Sequence, residues 1–471
     1  MIERKHVFIG GEWVKPAVDH RIVVTNPATE EAFATVPRCA TEDVCAAVDA
    51  AARAFPDWSR SPFEQRVDIF RKLANLTKQR ADEITRTIVS EVGQPLKAAR
   101  AMQTAGAVEE LETIANVLPE IAWSEQVANT RVRREPTGVV GAITPWNAPL
   151  RSIIVKAGAA MAAGCTVVLK GSEVAPLASF MFAEIAEEAG VPKGVFNLVC
   201  GTGPEAGEAL VVDPRVDAIS LTGSVRAGRR VMELAAQGIK RVHLELGGKS
   251  ANLIFGDADF ERAVVDGIDD AFRNTGQVCG GLTRMLVPRD RLRQAETLAV
   301  CKAESYVIGD PFDPATTLGP VTTAGQRERV REYIRSGLAE GVRMLTGGPE
   351  TPVGLDRGYF VKPTIFSGDN HSRVAREEIF GPVVILMPFD DDQEAVEIAN
   401  DSPYGLAAGV WCGDPERARA IAARLRVGRV RINGAPLNKR SPHGGMKLSG
   451  IGREWGRFGI ESFLEYKSVI G

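Results

Sequence analysis

Cys279 is the residue of this sequence whose surroundings best suit covalent chemistry. It lies in the segment Thr275-Gly-Gln-Val-Cys-Gly-Gly281. Glycine on both sides permits an unusual backbone path, so the thiol need not be packed into a core. A free cysteine is usually a small buried hydrophobe, but flexible and polar surroundings favour a nucleophile. The sequence shows no histidine partner for it, and both interpretations stay open at this point.

Glu245 is a candidate general base. It ends an apolar stretch and is followed by Gly247 and Gly248. A carboxylate that enters a buried turn at a strand end can accept a proton from a reacting group. A helix cap or a turn acceptor is an equally good explanation of the same residue.

Two further polar motifs come directly after apolar runs. Thr222-Gly-Ser224 precedes a helical pattern that starts at Val225, and a helix N-terminus offers unpaired N–H groups to a phosphate. The motif lacks the GxGxxG spacing, so alone it favours a plain strand-to-helix turn. Lys170 and Glu173 could hold a diol between ammonium and carboxylate, although a solvated surface pair is the simpler explanation.

The elements that must position these residues have a regular pattern. Short apolar runs alternate with helical stretches at about 150–163, 176–189, 204–212 and 225–238, and the runs are Val139–Ile143, Thr166–Leu169, Phe196–Val199, Ala218–Leu221 and Val242–Leu244. Such alternation predicts βαβ units and a parallel sheet. Ligands bind beyond the carboxyl ends of the strands in sheets of this kind. The polar residues named above therefore gather on one edge.

The rest of the chain also predicts an α/β fold. Strands are predicted at Val7–Ile9, Ile22–Val24, Ala251–Phe255 and Met285–Pro288, apolar runs at Phe360–Phe366 and Val383–Phe389, and helices at Thr41–Phe55, with Thr41 as its cap, Phe63–Val92 and Phe260–Phe272. The charged, alternating stretch Thr130–Pro136 predicts an exposed strand or a linker.

Composition narrows the class of protein. The chain has 471 residues, which predicts roughly three domains. It carries 57 Lys+Arg against 60 Asp+Glu, a balance that argues against nucleic acid as a partner. The N-terminus has no apolar signal region, and no run is long enough to span a membrane. Seven scattered cysteines and five histidines predict free thiols in the cytoplasm and no metal site.

Taken together, the motifs have a recognisable order. The chain resembles the NAD(P)-dependent aldehyde dehydrogenase superfamily over nearly its whole length, through Pro145-Trp-Asn147, Lys170-x-x-Glu173, Thr222-Gly-Ser224, Glu245-Leu-Gly-Gly-Lys249, Gly276-Gln-x-Cys279, Glu378-Ile-Phe-Gly-Pro382 and Ser441-Pro-x-Gly-Gly445. Each motif alone is modest, but seven in order make coincidence very improbable.

The resemblance implies a set of catalytic roles. Cys279 would attack the aldehyde carbonyl, and the oxyanion would be held by the Asn147 amide and the Cys279 backbone N–H. Hydride transfer would leave a thioester, and Glu245 would activate the water that hydrolyses it. Lys156 completes the implied catalytic set.

The resemblance also implies a dinucleotide site for NAD, with NADP as a second possibility. Lys170 and Glu173 would bind the adenosine ribose, Ser224 the pyrophosphate, and Glu378 the nicotinamide ribose beside Phe380. The remaining implied cofactor contacts are Ile143, Thr144, Trp146, Gly203, Gly223 and Leu246.

The implied fold has three parts. A Rossmann-type cofactor domain would hold residues 1–117 and 137–246, and an α/β catalytic domain residues 247–448. Residues 118–136 and 449–471 would form a small oligomerisation sheet of a homo-oligomer, either a dimer or a tetramer. Thr130–Pro136 would then be an edge strand whose charge prevents free aggregation.

The predicted substrate mouth departs from many relatives. Ala148, Arg151, Val155 and His443 stand there, and aromatic residues are common at such places in the family. The sequence therefore predicts a wider and more polar mouth, and it does not name the aldehyde.

Two alternatives to a hydrolytic aldehyde dehydrogenase stay open. A CoA-acylating relative is disfavoured because it needs no water base of the Glu245 type. A catalytically silent fold that acts as a binding or structural protein is disfavoured because Cys279, Glu245 and Asn147 are all present.

Overall fold

Two large sheets organise the chain, and the computed structural model describes all residues from 1 to 471. The first sheet has eight strands in the order Gly450–Ile451, Arg241–Glu245, Ala218–Thr222, Val139–Ile143, Thr166–Lys170, Phe196–Val199, Val7–Ile9 and Glu12–Val14. Its five middle strands are parallel. They match the predicted apolar runs to within one residue at each end, so the predicted parallel sheet is confirmed.

Burial explains why three of these five strands form continuous apolar runs in the sequence. Every residue of Val139–Ile143, Thr166–Lys170 and Phe196–Val199 is buried, as expected for a parallel sheet covered on both faces. The register brings their carboxyl ends to one level: Thr222 lies opposite Glu245, and Ile143 lies opposite Lys170. This edge carries the polar residues of the site.

The second large sheet has seven strands, in the order Arg343–Thr346, Thr364–Ser367, Val383–Phe389, Arg284–Pro288, Ala251–Ile254, Ala407–Trp411 and Arg429–Ile432. All neighbours except the first pair are parallel. The predicted run Phe360–Phe366 forms a strand only from Thr364. Pro363 precedes it and has no N–H to give to a ladder.

A three-stranded sheet contains the charged stretch Thr130–Pro136. This strand pairs with Ser124–Val127 on one side and with Leu464–Ile470 on the other. It is therefore the central strand, and the prediction of an edge strand was wrong. The two remaining small sheets consist of Ile2–Glu3, Ala32–Pro37 and Arg21–Thr25, and of Tyr404–Gly405 with Met446–Lys447.

The helices connect and cover the strands. The α-helices are Thr41–Trp58, Phe63–Gln79, Ala81–Val92, Leu96–Ala99, Gly106–Val117, Pro149–Ile153, Ala159–Ala163, Leu177–Glu188, Glu208–Val212, Val225–Ala236, Phe260–Phe272, Leu292–Glu304, Ala324–Ala339, Arg373–Arg376, Asp392–Asn400, Pro415–Arg424 and Gly456–Glu461. Three π-helical turns (Arg100–Ala105, Ile154–Gly158, Gly203–Gly207) and two 3₁₀ turns (Leu118–Glu120, Arg289–Arg291) accompany them, and Arg273–Gly276 is a turn that contains left-handed residues.

Two helix predictions were wrong in detail. The predicted helix Phe63–Val92 is interrupted at Arg80, whose φ of −92° and ψ of 15° lie outside the helical range. The cap of the first long helix is Ala40 instead of Thr41, because the Asp43 carboxylate accepts the Ala40 N–H at 2.8 Å.

The two large sheets have separate apolar cores. One core of 73 buried residues draws on residues 7–246 and 460–464, and two smaller cores lie within 251–425. None of the helices has the length and apolar character needed to cross a membrane.

Candidate active site

The loop before Cys279 has a strained backbone. Asn274, Thr275 and Gly276 have φ values of 51°, 55° and 73°, all left-handed. Such conformations are costly for residues with a side chain and persist only where the surroundings hold them. A Cβ atom on Gly276 would lie 2.1 Å from the Gly381 carbonyl oxygen, so glycine is required there. The Thr275 hydroxyl donates to the Gly319 carbonyl at 3.0 Å and ties the loop down.

Gln277 locks the same loop from inside. This fully buried side chain accepts the Thr322 N–H at 2.9 Å and donates to the Asn274 carbonyl at 3.0 Å. The backbone carbonyl of Gln277 accepts a hydrogen bond from Asn147 Nδ2 at 2.9 Å. The loop and Asn147 are therefore held as one unit, a role for Gln277 that the motif Gly276-Gln-x-Cys279 did not indicate.

The Cys279 thiol lies beside two of the other candidate residues. Its Sγ, a carboxylate oxygen of Glu245 and a ring nitrogen of His443 all lie within 4.8 Å of one another. Burial, followed by the nearby carboxylates of Glu245 and Glu378, raises the pKa of Cys279 far above its usual value. The thiol is thus protonated at neutral pH, and a base must take its proton during attack.

Glu245 is suited to accept that proton. It ends its strand, is 4% exposed, and Oε1 lies 3.1 Å from His443 Nε2. Its other oxygen, Oε2, is buried and has no hydrogen-bond partner within the protein. A buried, unpaired carboxylate oxygen is costly, as is common where a group is held ready for chemistry.

Lys156 lies on the π-helical turn Ile154–Gly158, where a continuous helix was predicted. Its ammonium is fully buried, 2.5 Å from Glu454 Oε1 and 3.3 Å from Ser220 Oγ. Glu454, which the sequence analysis did not single out, lines the cavity that contains Cys279, whereas Lys156 does not. Lys156 therefore reaches this cavity only through Glu454.

A cavity of about 120 Å³ leads to Cys279 and is lined by the four predicted mouth residues, Ala148, Arg151, Val155 and His443. Sequence reasoning missed several of its other walls: Met102, Arg273, Arg429, Leu437 and Trp455. The indole of Trp455 supplies the aromatic surface that Ala148 and Val155 lack. The substrate mouth is therefore less wide than the small side chains of Ala148 and Val155 alone suggest.

The polar groups of the mouth are also mostly engaged. Arg151 forms an ion pair with Glu110 at 2.7 Å, and Lys439 contacts the same carboxylate at 2.7 Å. Both ring nitrogens of His443 have partners, Glu245 and Arg429. His443 therefore has no ring nitrogen left for a direct hydrogen bond to substrate.

A second cavity, of about 290 Å³, also reaches Cys279. Six predicted cofactor residues line it: Trp146, Gly223, Ser224, Leu246, Glu378 and Phe380. Five others do not: Ile143, Thr144, Lys170, Glu173 and Gly203. Most of these five lie at the carboxyl ends of neighbouring strands of the first sheet, where Lys170 pairs with Glu173 at 2.8 Å.

Glu378 gives this second cavity a hydroxyl acceptor. Its Oε1 accepts the Gly248 N–H at 3.2 Å, and a Cβ atom on Gly247 would lie 2.0 Å from Oε2. Burial raises the pKa of Glu378 to about 7. Because Gly247 has no side chain, the Glu378 carboxylate can lie against the backbone. In this position it can accept hydrogen bonds from the two hydroxyls of a sugar.

The other walls suit a phosphate and a flat ring. Ser224 caps the helix Val225–Ala236 by accepting the Ala227 N–H at 3.2 Å, so this helix directs its N-terminus at the cavity. Phe380 is held at a φ of 61°, and its carbonyl accepts from Gln326 at 2.7 Å. Its ring meets Trp146 edge to face at 5.4 Å. Diol acceptor, helix N-terminus and aromatic pair together fit a dinucleotide.

Known proteins resemble this chain over its full length. The model of the aldehyde dehydrogenase family matches residues 13–469. A 3-succinoylsemialdehyde-pyridine dehydrogenase of a Pseudomonas species is 47% identical over 473 residues, which cover 100% of this chain and 99% of that protein.

Solved structures agree with that match. Aldehyde dehydrogenase C of Pseudomonas syringae, a cysteine-to-alanine mutant complexed with NAD+ and octanal, has a TM-score of 0.98 at 45% identity and covers 99% of this chain and 96% of its own. A Mycobacterium tuberculosis aldehyde dehydrogenase complexed with NAD+ has a TM-score of 0.97 at 39% identity, covering 100% and 98%. The chain therefore belongs to the aldehyde dehydrogenase family.

Proposed function

We propose that this protein oxidises an aldehyde to the carboxylic acid with NAD+ through a covalent intermediate on Cys279. One observation carries the proposal: the two cavities share Cys279, Glu245 and Asn147, so a nucleophile, a base and an amide donor stand where substrate and cofactor would meet. The NAD+ complexes of similar proteins support the choice of cofactor.

Acylation begins when the Cys279 thiol gives its proton to Glu245 and the sulfur bonds to the aldehyde carbon. The carbonyl oxygen becomes an oxyanion, which accepts from the Cys279 backbone N–H and from the second N–H of Asn147 Nδ2. Preorganised donors of this kind are worth about 10²–10³ in rate. Bound NAD+, held by residues such as Ser224 and Glu378, would supply the hydride acceptor, and loss of hydride from the adduct would leave the carbon as a thioester of Cys279.

Hydrolysis of the thioester uses Glu245 a second time. Glu245 first gives the thiol proton to solvent, and its carboxylate then takes a proton from water while the water oxygen bonds to the thioester carbon. The carbon–sulfur bond then breaks, and the Cys279 thiolate takes that proton back from Glu245. The unpaired Oε2 of Glu245 is the oxygen that is free for this work.

The two alternatives give different results in one assay. The protein is incubated with NAD+ and a panel of aldehydes, with and without CoA, and the absorbance of the reduced cofactor is followed. We expect turnover without CoA and no acceleration by it. Turnover only with CoA would identify an acylating enzyme. Binding of NAD+ without turnover of any aldehyde would identify a catalytically silent fold.

Glu173 should make NAD+ the preferred cofactor. A carboxylate near the adenosine ribose accepts from its 2′-hydroxyl and repels a 2′-phosphate. We expect kcat/KM to favour NAD+ over NADP+ by about tenfold or more, the size of one hydrogen bond to a charged group. Lys170, paired with Glu173 at 2.8 Å, offsets part of the repulsion. Glu173→Gln should narrow the preference, and equal efficiencies in the parent protein would contradict the assignment.

The mouth should favour aromatic or longer-chain aldehydes over acetaldehyde. Each methylene buried along the cavity adds about 0.8 kcal/mol, and a two-carbon substrate leaves most of that surface uncovered. The octanal complex of a similar protein supports this expectation. kcat/KM measured over a chain-length and aromatic series should rise with size. Ala148→Phe should narrow the mouth and reverse part of this order of kcat/KM values. A maximum of kcat/KM at acetaldehyde in the parent protein would refute the prediction.

Three further parts of the proposal concern the whole molecule. We retain 1–117 with 137–246 as the cofactor domain, 247–448 as the catalytic domain, and 118–136 with 449–471 as oligomerisation segments. The free edge strand Leu464–Ile470, with Tyr466 and Ile470 67% and 73% exposed, supports assembly into a dimer or tetramer. All seven cysteines are free, which supports the cytoplasm as location.

A further inference from the structure

We infer that His443 is a positioning residue that fixes the general base Glu245, and that Arg429 fixes the proton arrangement of His443. The three side chains form a chain of contacts: Arg429 Nη1 lies 3.1 Å from His443 Nδ1, and His443 Nε2 lies 3.1 Å from Glu245 Oε1. The inference rests on the proposed function, because it assigns the orientation of the base used there.

The direction of each hydrogen bond follows from Arg429. A guanidinium has donors and no acceptor, so His443 Nδ1 must accept and carries no proton. In the neutral ring the proton then lies on Nε2, which donates to the Glu245 carboxylate. The bond between Arg429 and His443 therefore selects the tautomer that can hold Glu245.

The surroundings hold the imidazole ring in place. It is 7% exposed and stacks on the indole of Trp455 at 4.5 Å, with the planes 21° apart. The backbone of His443 exchanges two hydrogen bonds with Glu454, at 2.9 and 2.7 Å. The ring thus has a fixed face and a fixed backbone, which is what a residue needs in order to orient another side chain.

The same geometry argues against a metal site at this cluster. Cys279, Glu245 and His443 offer three ligand atoms within 4.8 Å, a set that zinc accepts. A metal would need the lone pair of His443 Nε2, but Arg429 already occupies Nδ1 and leaves the proton on Nε2. The positive guanidinium of Arg429, 3.1 Å from the His443 ring, also repels a cation bound beside that ring.

The arrangement gives the two oxygens of Glu245 different tasks. Oε1 is restrained by His443, and Oε2, which has no partner, is left for the proton of the thiol or of water. Without the restraint the carboxylate would rotate among several positions. A misplacement of about 1 Å at a reacting group can cost about 10²-fold in rate.

A matched pair of variants tests the inference without any cofactor. His443→Phe keeps a ring that can stack on Trp455 but has no donor for Glu245, whereas His443→Gln keeps an N–H donor. p-Nitrophenyl acetate acylates Cys279 with release of p-nitrophenolate, and the steady rate that follows the burst reports hydrolysis of the acyl-enzyme. The burst amplitude counts correctly folded sites.

We expect His443→Phe to keep the burst amplitude and KM and to lower the steady rate by about 10–100-fold. His443→Gln should recover most of that loss, and Arg429→Met should lose less than about tenfold, the size of one hydrogen bond. An unchanged steady rate in His443→Phe would overturn the inference. So would equal losses of burst and steady rate in both His443 variants, which would show a purely structural role.

The failure of the proposed function would look different. A parent protein that hydrolyses the ester with a His443-dependent steady rate, but reduces no NAD+ with any aldehyde, would leave the inference standing and remove the proposed oxidation.

Discussion

Cys279→Ala should lower kcat for aldehyde oxidation by about 10⁴-fold or more, the range seen when a nucleophile that works as part of a unit is removed. Without the sulfur no thiohemiacetal forms on the enzyme, and this is the tetrahedral adduct from which hydride leaves in the proposed mechanism. The cofactor cavity has many other walls, from Ser224 to Glu378, so NAD+ affinity should stay near that of the parent. Steady-state kinetics and a direct NAD+ titration measure the two quantities.

Two other cysteines provide the matched control. Cys45 and Cys301 are both exposed and lie outside the two cavities. Alanine at either position should leave kcat and KM unchanged. Turnover of Cys279→Ala near the parent rate would rule out the covalent mechanism.

Glu245→Gln should separate the two halves of the reaction. The amide oxygen can still accept from His443 Nε2, so the side chain stays in place, but it cannot take a proton. Loss of a general base costs about 10²–10⁴-fold, and we expect that loss in steady-state turnover. The burst of reduced cofactor should slow less, because a thiol, even a buried one, is a stronger acid than water.

Rapid mixing with NAD+ and aldehyde provides the measurement. The expected trace is a burst approaching one reduced cofactor per site and then a slow phase. Loss of the burst together with the steady rate would indicate that Glu245 holds the structure instead of activating water. Glu378→Gln is the matched control on the cofactor side, since it should raise the KM for NAD+ without creating a burst.

Local pattern made much of the fold predictable. Three of the five parallel strands of the first sheet are buried along their whole length, and a run such as Val139–Ile143 therefore stands out against amphipathic helices. Once the strands are predicted, the positions of their carboxyl ends are predicted too, and Glu245 lies at one of these ends. The unusual backbone path near Cys279 was also predictable from the glycines around it, because the left-handed backbone at position 276 favours glycine.

Contacts between distant residues could not be predicted in this way. His443 meets Glu245 across 198 positions of sequence, and Lys156 meets Glu454 across 298. Nothing in either local sequence specifies the partner. For the same reason Trp455 and Arg429, which shape the mouth and orient His443, gave no signal.

The misassigned strand has a different cause. Alternating charge in Thr130–Pro136 indicates that both faces are partly exposed, and its exposure pattern agrees. Exposure of the faces says nothing about the edges, where the backbone pairs. Both edges of this strand are occupied, one by Leu464–Ile470 over all seven residues.

The most direct test of the covalent mechanism is to find the intermediate. The Glu245→Gln variant is mixed with NAD+ and a good aldehyde substrate, quenched in acid, digested and mapped by mass spectrometry. We predict one acyl group per chain, with the mass of the acid less water, on the peptide that contains Cys279. Rapid reduction of NAD+ with Cys279 unmodified, or with the acyl group on another residue, would contradict the account.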